Sequence, residues 1–279
     1  MEGCAGWNGS GALSLEPGSF DAAQIDDAMG HAVERFVSGS PGRVAHVALR
    51  DPEGGWSRSW RAGDDVGYPP ASLTKVPLVA VALLAAESGL LNLDARVLPE
   101  VFHTSAFPNV LSVVSTPLTL RELAALAIVL SDNLAAQALL DVVDDTQWGR
   151  GVAAMGCPGL ARPVGYRDQD FDAMWSETTT VDEQVSILAV VDRLDSLAPL
   201  RAWMGASLRN NRISTLIPPP ARFHHKTGSL DGVHHDVGLL DVGDHTAQVV
   251  ALTAAQPDPL GTASDMAELG VAVVAALSG

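Results

Sequence analysis

The residues Ser72-Leu73-Thr74-Lys75 follow the segment Tyr68-Pro69-Pro70-Ala71 and lead into a long apolar run. Because proline disfavours helical backbone in the residue before it, the sequence predicts a helix from about Ser72 to Ser88. Residues three apart on a helix share a face, so the Ser72 hydroxyl and the Lys75 amine can meet. The positive end of the helix dipole stabilises negative charge at Ser72 and disfavours a protonated Lys75. Both effects favour a neutral amine that accepts the serine proton.

Lysine usage points to the same residue. Of the 17 basic residues in the chain, only Lys75 and Lys226 are lysines. A general bias toward arginine explains the many arginines but not these two exceptions. Arginine cannot release its proton in a protein, whereas a buried lysine can titrate near neutrality. We therefore interpret both lysines as candidates for a site that needs a proton-accepting amine, although a Ser-x-x-Lys pattern alone also fits the start of a surface helix.

Two further motifs follow in the chain, Ser131-Asp132-Asn133 at a predicted helix start and Lys226-Thr227-Gly228 on a predicted edge-like strand. With the Ser72 motif, they resemble the penicillin-recognising serine hydrolases, the superfamily of class A β-lactamases and penicillin-binding proteins. The resemblance covers roughly residues 20–279. It extends to Leu118–Leu123, Glu177–Thr180 and Gly232–Asp236.

The resemblance implies a role for each motif residue. Ser72 would be the nucleophile that forms an acyl-enzyme, and Lys75 would be the base that activates it. Ser131 would relay a proton to the leaving group, and Lys226 would support Ser131 electrostatically. The backbone N–H groups of Ser72 and Ser229 would form the oxyanion hole. An edge strand offers unpaired backbone groups along which a peptide-like substrate can dock. The residues implied in substrate binding are Asn133, Thr227, Gly228, Ser229 and His234.

The sequence departs from the family pattern in the long irregular stretch 156–180. A class A β-lactamase has a Glu in this loop that activates water to release the acyl group, and its place falls within Val164–Asp168. No Glu stands there, and Asp168 is the nearest carboxylate. Asp168 is either a water-activating residue or a solvated loop acid, and a shorter side chain makes efficient lactam hydrolysis doubtful. The alternative is that Lys75 serves both half-reactions.

The position that often binds the lactam carboxylate is occupied by His234, which is mostly neutral at pH 7. Arg212 or Arg222 are the alternative sources of positive charge. Phe107, Tyr166 and Trp175 either line the cleft mouth or belong to the core.

The pairs His224-His225 and His234-His235 flank the Lys-Thr-Gly motif. Adjacent strand residues point to opposite faces, so each pair offers at most one metal ligand per face. We therefore predict no metal and no cofactor. We expect His224 to face the cleft beside Lys226, and His235 with Asp236 to be structural.

Alternating strand-like segments lie at both ends of the chain and helical spacing lies in the middle. The sequence predicts an α+β protein, with one antiparallel sheet built from both chain ends, terminal helices on it and an all-α subdomain. We expect a flexible tail over 1–19, an α/β subdomain over 20–68 and 212–279, and a helical subdomain over 69–211. The predicted strands are Val44–Arg50, Trp56–Arg61, Arg222–His225, Val233–Val242 and Ala247–Ala254. The predicted helices are Phe20–Ser38, Ser72–Ser88, Thr119–Ile128, Ser131–Val143, Val181–Leu194 and Thr262–Leu277.

The excess of acidic residues limits the classes of molecule that the protein can bind. The 279 residues include 33 acids and 17 bases, a formal net charge of −16. Such a protein repels phosphate backbones and anionic membrane surfaces, so we expect a small-molecule acyl substrate and neither nucleic acid nor membrane as partner. The longest apolar run, Val76–Ala86, is too short to span a bilayer. The first residues lack the features of a signal peptide, which leads us to expect a cytoplasmic protein.

Three functions remain compatible with the sequence. The first is a serine acyl-transfer enzyme, an esterase, amidase or transacylase that acts on an ester, amide or lactam. The second is a β-lactamase or D-Ala-D-Ala peptidase. The signal peptide that we do not see counts against both, and the missing Glu counts against the β-lactamase. The third is a catalytically inactive binding protein, which the complete set of motif residues makes less attractive.

Overall fold

A computed structural model describes residues 22–50, 55–56, 58–102, 109–167 and 177–278. The predicted tail, Phe107, Asp168 and Trp175 lie outside the described residues. The helices are α1 Ala22–Ser38, α2 Lys75–Glu87, α3 Leu120–Val129, α4 Asn133–Val142, α5 Asp145–Ala154, α6 Val181–Arg193, α7 Ala198–Gly205 and α8 Pro259–Ser278. The strands are β1 Arg43–Leu49, β2 Arg58–Ala62, β3 Arg96–Val97, β4 Leu118–Thr119, β5 Arg222–Leu230, β6 Val233–Val242 and β7 His245–Thr253.

The main sheet confirms the predicted topology. Its order is β2-β1-β7-β6-β5 and every neighbouring pair is antiparallel. Strands from the two chain ends meet where β1 pairs with β7, with Val47 opposite Val249. β5, which holds the Lys-Thr-Gly motif, lies at one edge of this order and pairs with β6 alone among the described strands.

The two faces of the sheet contact different parts of the molecule. Because side chains alternate along a strand, Val44 belongs to the cluster with α2, whereas Ala45 and Val47 pack with the terminal helices α1 and α8. α2 is buried along almost its whole length. A helix that is apolar on all sides is a core element, so α2 forms the rigid centre from which the Ser72 motif extends.

Among the helices that the structure describes, α5 and α7 were not predicted from the sequence. The segment that forms α5 contains two glycines, which lower helix propensity. A capping box between Asp144 and Gln147 stabilises its start. A Cβ on Gly151 would lie 2.6 Å from a Val81 methyl, so this glycine lets α5 pack closely on α2. The other missed helix is α7, which has a proline in its first turn.

Among the described helices, α8 is long and apolar enough to cross a bilayer by length and composition alone. The helix itself was predicted over Thr262–Leu277, but its interrupted apolar residues gave no sign of a candidate span. Met266, Leu269 and Val273 pack against the sheet and α1. A buried core helix can have the same length and composition.

Candidate functional site

The Ser72 motif begins with a tighter turn than the sequence predicted. Residues 71–74 form a 3₁₀ turn, and the α-helix starts only at Lys75. Ala71 has φ 49°, a conformation that alanine rarely adopts. A Cβ on Gly228 would lie 3.2 Å from the Pro70 carbonyl oxygen, so the edge strand β5 passes close to this turn. Ser72 is therefore held between the core helix α2 and the edge of the sheet.

Lys75 is fully buried and its amine lies at the centre of the site. Its Nζ is 3.0 Å from Ser72 Oγ and 2.6 Å from Asn133 Oδ1. It also lies 2.9 Å from the Ser131 carbonyl oxygen. Burial lowers the pKa of Lys75 to about 7, against a smaller opposing effect of Asp132. Near neutral pH a large share of this amine is therefore unprotonated and can accept the Ser72 proton.

Ser131 stands between the two lysines of the chain. Its Oγ lies 3.2 Å from Lys75 Nζ and 2.9 Å from Lys226 Nζ. Ser131 has φ 57°, a backbone conformation that costs about 1–3 kcal/mol for a residue with a side chain. Burial lowers the pKa of Lys226 well below its usual range, and the nearby Lys75 lowers it further. The strained turn thus places one hydroxyl within reach of two amines that both lose protons readily.

Asp132 stabilises the turn at Ser131 and caps α4. Its Oδ1 accepts the backbone N–H groups of Leu134 and Ala135 at 2.9 and 3.0 Å. Its Oδ2 accepts the Leu111 N–H at 3.2 Å, which ties the segment 110–113 to the site. Asp132, rather than Ser131, is therefore the N-cap of the helix that the sequence analysis began at Ser131.

We expect Asp132→Ala to destabilise the protein by about 2–4 kcal/mol, because a helix cap is lost and buried N–H groups lose their acceptor. Urea denaturation followed by circular dichroism measures the change. Asp144→Ala is the matched control, since it removes an exposed cap and is expected to cost about 1 kcal/mol. Equal losses in the two variants would contradict the anchoring role of Asp132.

The three motifs meet at a small open pocket of about 80 Å³. Its walls contain four predicted site residues, which come from or directly follow the three motifs, together with two arginines. No carboxylate is among the lining residues that the structure describes, so the pocket is suited to an anion. The lining residues are Ser72, Ser131, Arg209, Asn211, Arg212, Thr227 and Ser229.

The structure places Arg212, rather than His234, in the lining of this pocket. Arg212 is buried, donates to the Gly228 carbonyl at 2.7 Å and to Ser229 Oγ at 2.5 Å, and also donates to the His235 carbonyl. Arg222, the other candidate, is exposed at the opposite end of β5. Arg212 is thus tied to the strand that contains the Lys-Thr-Gly motif.

His234 lies on β6, opposite Ser229 in the strand pairing. Its backbone N–H donates to Thr253 Oγ1 at 2.8 Å. Burial lowers its pKa, and the charge of Arg212 lowers it further, so the imidazole is neutral at pH 7. Its Nε2 is buried and has no partner in the described part of the chain. His234 therefore does not replace a cation here.

The other three histidines of the two pairs have structural partners. The expectation that His224 faces the cleft is wrong, because it bonds the Arg201 carbonyl at 3.0 Å and does not line the pocket. His235 donates from Nε2 to the Pro69 carbonyl, and its Nδ1 accepts the Thr253 N–H. Burial lowers the pKa of His235 to about 3, so it stays neutral and connects β6 to the Ser72 turn.

His225 is buried between two oxygen partners. Its Nδ1 lies 2.7 Å from Asp236 Oδ1 and its Nε2 lies 2.9 Å from Asn210 Oδ1. Asp236 Oδ2 also accepts the Ile213 N–H at 3.1 Å. These bonds hold both sides of the segment that contains Arg212. Within the described ranges, no group of three or more His, Cys, Asp or Glu side chains is arranged to hold a metal ion.

Tyr166 lies beside Lys75, at the side where the loop 156–180 approaches α2. The Lys75 Nζ is 5.1 Å from the Tyr166 ring centroid, and the ring is buried. Of the window Val164–Asp168, the structure describes all but Asp168. From the sequence, Tyr166 was expected either to line the cleft mouth or to belong to the core. Its contact with Lys75 was not predicted.

Arg209 and Asn211 were missed in the sequence. They precede Arg212 in the connection from α7 to β5 and match no motif. The one available signal is the presence of two arginines shortly before the strand with the Lys-Thr-Gly motif.

Two serines line an open pocket and contact two buried lysines of lowered pKa, beside a sheet with a helical layer. These are the features of a penicillin-recognising serine hydrolase. The sequence model described as the Beta-lactamase enzyme family matches residues 29–277. The chain belongs to this family.

Solved structures support the fold. The β-lactamase from Sphaerobacter thermophilus DSM 20745 aligns with a TM-score of 0.73 at 24% identity, covering 92% of this chain and 97% of its own. The β-lactamase from Chitinophaga pinensis DSM 2588 gives a TM-score of 0.75 at 18% identity, covering 89% and 99%. An ancestral class A β-lactamase gives 0.71 at 23% identity, with coverages of 89% and 99%. A search of curated protein sequences gave no match.

Proposed function

We propose that this protein is a serine acyl-transfer enzyme that forms an acyl-enzyme at Ser72 from an ester, amide or lactam, with Lys75 as the general base. One observation supports this most strongly. A fully buried amine whose pKa is lowered to about 7 lies 3.0 Å from a serine hydroxyl at an open pocket. An uncharged amine at hydrogen-bond distance from a hydroxyl is the arrangement that general-base activation requires.

The other polar groups fit the following steps. As Ser72 Oγ attacks the substrate carbonyl, its proton passes to Lys75. The backbone N–H groups of Ser72, in the 3₁₀ turn, and Ser229, on the edge strand, would stabilise the oxyanion. Ser131 then donates a proton to the leaving group. It regains a proton from the amines of Lys75 and Lys226, which both contact its hydroxyl. Asn133 keeps Lys75 oriented through its 2.6 Å contact.

The pocket favours a substrate with a carboxylate. Arg209 and Arg212 line it together with the hydroxyls of Thr227 and Ser229. Hydrogen bonds from a guanidinium to a carboxylate are about twice as strong as neutral ones. An acyl donor with a carboxylate on its leaving-group side is therefore the substrate class that we propose.

A genuine β-lactamase or D-Ala-D-Ala peptidase is the second candidate. It is favoured by membership of the β-lactamase enzyme family. Residues 164–167, the described part of the loop where a class A enzyme has its Glu, contain no carboxylate. This argues against efficient lactam hydrolysis. A catalytically inactive binding protein is the weakest alternative, since the motif side chains remain in contact.

The three candidates differ in one experiment. The protein is incubated with benzylpenicillin, and separately with a fluorophosphonate, and its intact mass is followed from seconds to hours. A persistent adduct on the peptide that contains Ser72 supports acyl transfer with slow release. Rapid consumption of penicillin with little adduct favours a β-lactamase. Failure of every acyl donor to react would refute the enzyme proposal.

For Arg212→Lys we expect the benzylpenicillin concentration at half-maximal acylation rate to rise about 10- to 100-fold, since one charge-assisted bond is worth about 1.5–3 kcal/mol. The maximal acylation rate should change much less. Arg222→Lys, at the exposed end of the same strand, is the control and should behave like wild type. An unchanged half-maximal concentration in Arg212→Lys would show that substrate charge is recognised elsewhere.

A further inference from the structure

The Lys75 amine has two kinds of neighbour. On one side are oxygen atoms of Ser72, Ser131 and Asn133. On another is the flat face of Tyr166, with the ring centroid 5.1 Å from Nζ. The aromatic ring closes off part of the space around the base. It comes from the loop window in which the resemblance places a water-activating carboxylate.

Tyr166 is held firmly in this position. Only 2% of its surface is exposed, and its backbone N–H donates to Gln137 Oε1 at 2.9 Å. Its hydroxyl lies 3.1 Å from Thr74 Oγ1. Because the Thr74 hydroxyl donates its own proton to the Ala71 carbonyl at 3.0 Å, Tyr166 must be the donor to Thr74. The ring is thus anchored at its backbone and at its tip.

Such a phenol cannot replace a carboxylate base. Its hydroxyl proton is already donated, and burial raises the pKa of Tyr166 far above neutrality. The described acid of the same loop is Glu177, which accepts the Val164 N–H at 3.1 Å. Glu177 lines a different cavity, whose walls contain Thr74 but neither Ser72 nor Lys75. Within the described residues, no carboxylate contacts Lys75 or lines the pocket.

We propose that Tyr166 is a positioning residue that prolongs the life of the acyl-enzyme by covering the face of Lys75 from which an activated water would approach. This proposal rests on the proposed function, since it concerns the second half of the same reaction. In that half, a nucleophile with an O–H or N–H bond attacks the acyl carbon and the bond to Ser72 Oγ breaks. The proton of the nucleophile passes through Lys75 to Ser72 Oγ. Tyr166 slows this step when the nucleophile is water.

The test measures acylation and deacylation separately. After benzylpenicillin labelling, free penicillin is removed by gel filtration and the half-life of the adduct is followed by intact mass. Wild type should hold its adduct for minutes or longer. Tyr166→Phe keeps the ring and should change the half-life less than twofold. Tyr166→Glu places a carboxylate beside Lys75 and should shorten it about 100-fold, the size of a general-base contribution.

The controls separate this effect from loss of structure. Trp148→Phe removes the 3.1 Å bond from Trp148 Nε1 to the Leu160 carbonyl, which loosens the same loop without touching Lys75. Its adduct half-life should match wild type. If Tyr166→Glu does not fold, Tyr166→Leu decides the question, because it removes the aromatic face over Lys75 without adding a carboxylate. A shorter half-life in Tyr166→Leu supports the proposal, and an unchanged one contradicts it. A half-life that lengthens in Asp168→Asn would show that Asp168 activates water.

The remaining outcomes are also distinguishable. If wild type is acylated but releases its adduct within seconds, the proposal for Tyr166 is wrong and the proposed function stands. If folded Tyr166→Glu keeps the wild-type half-life, the ring does not control release. If no acyl donor labels the protein, the proposed function fails and the role of Tyr166 fails with it.

Discussion

Ser72→Ala should abolish covalent labelling of this protein by both benzylpenicillin and a fluorophosphonate. The variant lacks the only hydroxyl that contacts the Lys75 amine directly from the 3₁₀ turn before α2. Water and the oxyanion hole can still give some residual turnover, but no adduct can form. The readout is the intact mass after an incubation that labels wild type completely. The fold should be unaffected, which a thermal melt can establish.

Ser59→Ala is the matched control for this substitution, since Ser59 is exposed on β2 and should label like wild type. Labelling of Ser72→Ala at the wild-type rate would place the nucleophile elsewhere. Labelling with penicillin lost but with fluorophosphonate retained would point to a second reactive residue.

Lys75→Arg should lower the acylation rate constant by about 10²- to 10⁴-fold, the range that general-base catalysis contributes. Arginine preserves the positive charge but cannot release its proton at any accessible pH. The guanidinium is also larger than the amine in a fully buried position, so its folding must be verified by circular dichroism. A rate within threefold of wild type would exclude Lys75 as the base.

The pH profile tests the same residue without a substitution. With a Lys75 pKa of about 7, the amine is protonated below neutrality and largely neutral above it. The acylation rate constant should therefore rise about tenfold per pH unit below pH 7 and level off above it. The arginine variant should lose this inflection. A wild-type rate independent of pH between 5 and 9 would contradict a titrating base.

The parts of the fold that the sequence predicted are those with local signals. The capping box at Thr119 and Glu122 and the alternating strand β2 needed no tertiary information. The helix α5 escaped detection because its two glycines lower helix propensity, and the close packing that explains Gly151 exists only in the folded chain. Ser72 was expected in an α-helix but lies in a 3₁₀ turn. This turn contacts β5, and no local sequence pattern predicts that contact.

The candidate site shows the same difference between residues with a local sequence signal and residues whose role depends on the folded chain. The three motifs predicted the amines of Lys75 and Lys226 that contact the Ser131 hydroxyl in the structure. The choice between His234 and Arg212 could not be made from the sequence, because Arg212 reaches the pocket through bonds to the carbonyls of Gly228 and His235. The contact of Tyr166 with Lys75 depends on the course of a loop that matches no motif. The role of Asp168 and the division into subdomains remain predictions.

The burial of Lys75 also links the enzyme's stability to pH. In the unfolded chain this amine has an ordinary pKa near 10.5, and in the folded protein its pKa is about 7. Between these two values the unfolded chain binds more protons, so the free energy of unfolding increases as the pH rises from 7 to 10.5. Below pH 7 the full penalty of a buried cation remains. At neutral pH, folding therefore releases a proton into solvent from only part of the molecules, and in that share the amine beside the proposed nucleophile Ser72 is unprotonated before any substrate arrives.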